Sequence, residues 1–286
     1  MNKDFLIGCI GCGMMGGALI KAISQKVGGN KILLSDGDVE KAKQLALEIG
    51  ASVASSNDQI IKKCSHVIIA VKPAFFSSVL EQIKDSYNER FNSNEKNELP
   101  VIISIMAGFS IEKIIEMSNK AGLSGGLQKI IRLMPNLPAT VSEGMIALCV
   151  EEKTSAELTE EVTFVKDILS KAGKVEQVPE KLMDAVTAIS GSGPAYGFMF
   201  IEALADAAVS FGMPRNQAYI YASQTLKGAA QMVLETGDHP AKLKDAVCSP
   251  AGTTIEAVKI LEQKSFKSAI IEGAEAAYKK SIELGK

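Results

Sequence analysis

Gly11-Cys12-Gly13-Met14-Met15-Gly16 follows the pattern Gly-x-Gly-x-x-Gly, whose spacing suits the seating of a dinucleotide pyrophosphate. The first glycine permits a tight turn, the second lets a pyrophosphate approach the backbone, and the third lets helix and strand pack closely. The helix that follows offers free N–H groups and a partial positive charge to the phosphates. A glycine-rich turn without any ligand has the same composition. Position separates the two here, because the hexad closes the apolar run Phe5–Ile10 and opens the helix-compatible stretch Gly17–Gln25. That strand-turn-helix context gives the pattern its meaning. The next apolar run ends at Ser35-Asp36. An acidic residue about 20 positions beyond the glycines commonly accepts hydrogen bonds from an adenosine ribose and favours NAD. Asp36 stands somewhat further along, and no Arg follows it closely to receive a 2′-phosphate. The balance leans toward NADH. Lys41 or Lys43 swinging in would serve NADPH instead, and Asp36 as a mere cap of the next helix would favour neither.

A second group of residues able to do chemistry lies near the other end of the chain. Ser249-Pro250-Ala251-Gly252-Thr253-Thr254 precedes a helical pattern with apolar Ile255, Val258 and Leu261. A helix opening with small residues and two hydroxyls suits an anion, with backbone N–H groups for a carboxylate and a hydroxyl for a second contact. Simple N-capping by Thr253 accounts for the same residues. Ser190-Gly191-Ser192-Gly193-Pro194-Ala195-Tyr196 is another helix start of this kind, or a close helix crossing that needs small side chains. Ala70-Val71-Lys72-Pro73 and Met106-Ala107-Gly108 end apolar runs, at the edge where open α/β sheets bind ligands, and Asn57 belongs to the same rim. By position alone Lys72 reads slightly better as a solvated loop charge. Cys9 and Cys12 form a Cys-x-x-Cys, yet no second pair follows and the histidines are only His66 and His239. A four-ligand zinc set is hard to assemble from these, so no metal site is expected and the five cysteines read as reduced thiols of an intracellular protein.

The scaffold for these groups is legible as an alternation. Phe5–Ile10, Lys31–Leu34, Val53 and its neighbours, His66–Val71 and Val101–Ile105 read as strands. Between the second and third, Val39, Ala42, Leu45, Ala46 and Ile49 mark one face of a helix. Ile130–Leu133, Gly144–Val150 and Val175–Val178 read as further strands, and Ser155–Ala172 as an amphipathic helix. Tyr87–Glu98, polar and aperiodic, is expected to be an exposed loop. Strands alternating with helices predict an α/β fold with a Rossmann-type, doubly wound parallel sheet. After Pro179 the chain turns Ala-rich and helical, so 1–179 is read as the dinucleotide-binding domain and 180–286 as an all-helical domain for substrate binding and dimerisation.

Composition narrows the classes of function. The 286 residues carry 31 Lys plus Arg against 33 Asp plus Glu, a net charge of −2, which argues against an electrostatic nucleic-acid binder. The chain has no Trp and only 5 % aromatic residues, so stacking platforms for bases or sugars are scarce. Phe5–Ile20 is uncharged but holds five glycines, unlike the helical apolar segment of a secretory signal. Ala185–Ile201 is broken at Ser190–Pro194 and too short to span a bilayer. A cytoplasmic protein without membrane or nucleic-acid partners is expected. The helical half has many apolar positions for its size, which calls for a partner subunit.

Leu243–Ile255, with its Ser249-Pro250-Ala251-Gly252-Thr253-Thr254, together with Ser190–Tyr196, Arg132-Leu133-Met134-Pro135-Asn136 and Ala70–Pro73, resembles the pyrroline-5-carboxylate reductase family. The likeness runs from Phe5 to about Leu284, and Ser-Pro-x-Gly-Thr-Thr is its most specific segment. The chain departs from the family at Ala251, where Gly is usual in the tightest turn. The resemblance implies an oxidoreductase that reduces 1-pyrroline-5-carboxylate to L-proline with NADPH or NADH, in the last step of proline synthesis. It implies that Ile10, Gly11, Cys12, Gly13, Met14 and Met15 line the cofactor with Ser35 and Asn57. Ala70, Val71, Lys72 and Pro73, and Met106, Ala107 and Gly108, complete that lining, and the ribose argument adds Asp36. Gly252, Thr253 and Thr254 would hold the substrate, with the Thr254 hydroxyl as the catalytic contact to the ring nitrogen. It further implies a homodimer with intertwined helical domains, often assembled into decamers.

The residue inventory agrees with imine chemistry. A cyclic imine is basic enough to arrive largely protonated, so proximity and orientation can supply most of the acceleration without a strong acid. The helical half has one histidine, His239, beside Pro240 at a helix start. An alcohol dehydrogenase of this plan would want a Lys or His base, for which Lys227 or Lys244 remain available. The alternatives are therefore a hydroxyacid dehydrogenase, another imine reductase, or a non-catalytic NAD(P)H sensor. A sensor has no need of the Thr253-Thr254 anion site.

Overall fold

The computed structural model describes residues 5–93 and 99–285. Its eight strands are β1 Phe5–Ile10, β2 Ile32–Ser35, β3 Ser52–Val53, β4 Cys64–Ile69, β5 Val101–Ser104, β6 Ile130–Met134, β7 Gly144–Val150 and β8 Gly173–Gln177. They form one sheet in the order β3-β2-β1-β4-β5-β6-β7-β8. The order reverses direction between β1 and β4, the switch point at which open α/β sheets leave a crevice for a ligand.

Helices cover both faces. On one lie α1 Met14–Val27, α2 Val39–Ile49 and α6 Thr159–Leu169; on the other lie α3 Asn57–Lys63, α4 Phe76–Asn92 and α5 Ile111–Lys120. The two-residue period of a strand divides the apolar runs between two cores. Ile7, Cys9, Ile32 and Leu34 pack with Leu19, Ile23 and Leu45 of the first set. Ile10, Leu33, Val67 and Ile69 pack with Ile60, Val79 and Ile83 of the second. Val39–Ile49 is a helix, as the spacing predicts; of the expected face Ala42, Leu45 and Ala46 are buried, Ile49 is half-buried and Val39 at the first position is exposed.

Two expectations are corrected. The sheet is mostly parallel but not wholly so, because β7 runs antiparallel to β6. The link from Pro135 to Glu143 contains only a short 3-10 turn, Leu137–Val141. A parallel partner would need a crossover of about a dozen residues or more. The loop expected over Tyr87–Glu98 is also partly wrong. Residues 87–92 continue α4, and Asn94–Glu98 lie outside the described residues. Tyr87 (0 % exposed) and Arg90 (3 %) extend the buried face begun by Val79 and Ile83. The Tyr87 hydroxyl donates to the Gly126 carbonyl at 2.9 Å and accepts from Gln128 N–H at 3.0 Å, and burial pushes its pKa up to about 12. The Arg90 guanidinium donates to the carbonyls of Ile61 and Cys64.

The contacts divide the chain into two compact units, Met1–Gly191 with Tyr278–Lys286, and Ser192–Ala277. Composition changes at Pro179, but the next residues pack with the sheet unit. Glu180 accepts from Ile111 N–H at 2.7 Å and from Arg132 at 3.1 Å, and Asp184 accepts from Ser281 at 2.6 Å. The segment runs through α7 Met183–Val186 into a π-turn, Thr187–Gly191. The second unit contains α8 Gly193–Ser210, α9 Arg215–Thr236, α10 Pro240–Val247, α11 Thr253–Gln263 and the beginning of α12 Phe266–Gly285. Its buried cluster is small, built on Ala205, Ala218 and Ala222. Phe198, Met199, Ile220, Tyr221 and Leu234 are exposed, Leu234 by 71 %. No helix among the described residues is long and apolar enough to cross a membrane.

Candidate cofactor and substrate sites

The three glycines of the hexad do three different things. Gly11 turns the chain at φ 105°, and a Cβ there would stand 2.6 Å from the Ala70 carbonyl oxygen. Gly16 lies so close to β1 that a Cβ would come within 2.2 Å of the Gly11 oxygen. Gly13 is extended and precedes the first residue of α1, with nothing within 4 Å of its Cβ position. An open backbone at the start of a helix with no side-chain cap fits a pyrophosphate. N–H groups and the helix dipole face the same space.

The neighbouring strand ends complete this rim. Asp36 does not cap α2; the cap position is Asp38, without a side-chain hydrogen bond. Asp36 instead accepts from Cys12 N–H at 2.6 Å through Oδ2 and from Asp38 N–H at 2.8 Å through Oδ1. Ser35 donates to Asn57 Oδ1 at 2.6 Å, and Asn57 donates to Gln82 at 2.6 Å. Gly13, Asp36, Asn57, Ala70, Val71 and Lys72 share a cavity of about 470 Å³ with Ile10 and Gly11. Lys72 is exposed but borders this cavity, just before the 3-10 turn Pro73–Phe75. Cys12 and Met14 border a separate cleft with Gly13. Met106, Ala107 and Gly108 follow β5 and do not line the Asp36 cavity. Met106 is buried in the core and its N–H donates to Ser104 Oγ at 3.3 Å.

Cys9 and Cys12 are packing thiols. Both are buried, Cys9 donates to the Gly11 carbonyl at 3.3 Å, and a hydrogen bond with Cys12 together with burial pushes its pKa well up. No three metal-ligating side chains come together among the described residues.

The second candidate lies in the helical unit. α11 begins at Thr253 with Gly252 as its cap position and no side-chain cap, so Thr253 is not the N-cap. The first N–H groups of α11 are left for an anion, beside an exposed Thr253 and a half-buried Thr254. A Cβ at position 252 would sit 2.2 Å from Ser249 Oγ, so that hydroxyl would have to turn away. Ala251 holds the turn at φ 54°, a left-handed conformation that costs an L-residue roughly 1–2 kcal/mol. Ala251→Gly should therefore stabilise the protein by about 0.5–1 kcal/mol after the extra freedom of glycine in the unfolded chain is counted. An unchanged or lower Tm would show that the turn carries no strain.

Two of the three basic candidates, His239 and Lys244, are held in local contacts. His239 caps α10, its Nδ1 accepting from Ala241 N–H at 3.2 Å. Lys244 pairs with Asp245 at 3.1 Å, and that hydrogen bond holds its pKa above the usual lysine value. The Arg132–Asn136 motif, noted in the sequence only for its resemblance, makes hydrogen bonds and an ion pair within the fold. Arg132 pairs with Glu180, and Asn136 accepts from Met145 N–H at 2.9 Å while donating to the Ser190 carbonyl at 3.0 Å. Asn136 thereby ties the π-turn to the end of β6. A π-turn leaves no mark in hydrophobic spacing, and nothing in the sequence announces it.

Comparison with known proteins agrees with this two-part plan. The family model for pyrroline-5-carboxylate reductase dimerisation matches residues 180–284, and that for NADP oxidoreductase, coenzyme F420-dependent, matches residues 6–108. The chain is 41 % identical to the pyrroline-5-carboxylate reductase of Escherichia coli K12 over 282 residues, 98 % of each protein. It aligns with the crystal structure of Plasmodium falciparum pyrroline carboxylate reductase with NADP bound at 31 % identity and TM-score 0.81, covering 100 % of both chains. The corresponding values for the Coxiella burnetii pyrroline-5-carboxylate reductase structure are 30 %, 0.84 and 99 % of each. With its three-glycine turn on a doubly wound sheet and its Gly252–Thr254 helix start, the chain belongs to the pyrroline-5-carboxylate reductase family.

Proposed function

We propose that the protein reduces 1-pyrroline-5-carboxylate to L-proline with NADH or NADPH, as the last step of proline biosynthesis. The observation that carries this is the presence, in one chain, of an open pyrophosphate turn at Gly13 and a second uncapped helix start at Gly252–Thr254. The residues Ile10–Met15, Ser35, Asp36, Asn57, Ala70–Pro73 and Met106–Gly108 hold the dinucleotide, whose reduced nicotinamide supplies a hydride when bound. The N–H groups at the start of α11 hold the substrate carboxylate at Gly252 and Thr253. The Thr254 hydroxyl accepts a hydrogen bond from the protonated ring nitrogen and so orients the imine carbon. Hydride adds to that carbon, the C=N π pair becomes the amine lone pair, and the nitrogen keeps its proton. No general acid is required, in keeping with a capped His239 and a paired Lys244.

The assay is loss of reduced-nicotinamide absorbance on adding 1-pyrroline-5-carboxylate, with L-proline as the product. Oxidation with a 2-hydroxy acid's keto partner in its place would favour the dehydrogenase. Tight NAD(P)H binding without turnover would favour the sensor.

The assembly follows from the helical unit. Its exposed apolar side chains, among them Phe198, Ile220 and Leu234, need a partner, and residues 180–284 match a dimerisation family. A homodimer, with decamers as a higher assembly, is expected in the cytoplasm. At micromolar concentration the protein should sediment as a dimer or larger. A monomer of 30.4 kDa would contradict this.

A further inference from the structure

We propose that Asp36 makes this chain select NADH over NADPH, by holding a fixed negative charge where the adenosine ribose carries its 2′-group. The inference rests on the dinucleotide reading of the glycine turn and deepens it.

The geometry has three parts. Both oxygens of Asp36 are anchored, Oδ2 by Cys12 N–H in the glycine turn and Oδ1 by Asp38 N–H. A carboxylate gripped by two backbone donors cannot swing aside to admit a phosphate, yet each oxygen keeps a lone pair to accept from a ribose hydroxyl. The cavity it borders is the one lined by Gly13 and Asn57, which places the charge on the adenosine side of the pyrophosphate turn. Finally, the two lysines at the start of α2, of which Lys41 also lines this cavity, are paired with acidic neighbours on that helix. Lys41 pairs with Asp38 at 3.3 Å and Lys43 with Glu40 at 2.8 Å. Both pairs lie within the first turn or so of α2, where the helix itself favours their acidic members. Asn57, which also lines the cavity, is tied to Ser35 and Gln82. A 2′-phosphate would therefore meet a rigid like charge, whereas a 2′-hydroxyl finds an acceptor.

The test is direct binding to the full chain without substrate, so that the result does not depend on the assignment of 1-pyrroline-5-carboxylate. Dissociation constants for NADH and NADPH are read by calorimetry, and those for ADP-ribose and its 2′-phosphate locate the effect on the adenosine half. The wild type should bind NADH, and ADP-ribose, at least tenfold more tightly than the 2′-phosphorylated partner, a difference that shrinks as salt screens the repulsion. Asp36→Ser should reduce that ratio tenfold or more, chiefly by strengthening NADPH. Asp38→Asn, which frees Lys41 and leaves Asp36 in place, should strengthen NADPH several-fold. A wild type that binds NADPH as tightly as NADH overturns the proposal without any variant. So does a ratio unmoved in a folded Asp36→Ser protein, and binding of neither dinucleotide overturns the site itself.

Discussion

Gly13→Val is expected to abolish measurable NADH and NADPH binding while the protein melts within a few degrees of the wild type. The backbone at Gly13 is extended, φ −68° and ψ −173°, which valine adopts without strain. Nothing lies within 4 Å of the Cβ position, so the isopropyl group displaces no protein atom. It fills the space through which a pyrophosphate must reach the N–H groups of α1. Losing that contact should weaken binding by more than about a hundredfold, close to 3 kcal/mol. Gly16→Val supplies the contrast. Its side chain would run into the Gly11 carbonyl and Ala70, so it should lower stability outright. A Gly13→Val protein that titrates NADH with wild-type affinity would remove the pyrophosphate from this turn.

Thr254→Ala should lower kcat/KM for 1-pyrroline-5-carboxylate by roughly ten- to a hundredfold, with unchanged NADH binding. The substrate offers few handles: a carboxylate, a ring nitrogen and a short apolar edge. The N–H groups at the start of α11 can hold the carboxylate whatever the side chains are. On the proposed mechanism Thr254, half-buried in the first turn of that helix, is the hydroxyl that orients the nitrogen. Removing one such bond in a desolvated site costs about 1.5–3 kcal/mol. Thr254→Ser restores the hydroxyl and should recover most of the rate. An Ala variant working at the wild-type rate would leave Thr254 as a helix-start residue and nothing more.

Much of the geometry of the glycine turn could be read from the chain because its parts are local. The hexad spans six residues, and each glycine answers to backbone sterics within a strand, a turn and the first turn of a helix. The Gly252 helix start is local in the same sense, down to Ala251 holding a left-handed turn. The strands were legible because a sheet covered on both faces demands continuous apolar runs. Other features rest on contacts between residues far apart in sequence. The last turns of α4 are polar in composition, and only packing of Tyr87 against 126–128 and of Arg90 against 61–64 makes them helix. The antiparallel β7, the π-turn held by Asn136 and the end of the first compact unit at Gly191 likewise follow from long-range pairing. Asp36 shows the division within one residue. Its type and position marked it as a ribose ligand or a cap, and hydrophobic spacing could not choose between them. The fold removes the cap reading, since Asp38 holds that position, and the bond from Cys12, 24 positions away, ties Asp36 to the glycine turn, because only the folded chain brings an N–H of that turn to the end of the next strand.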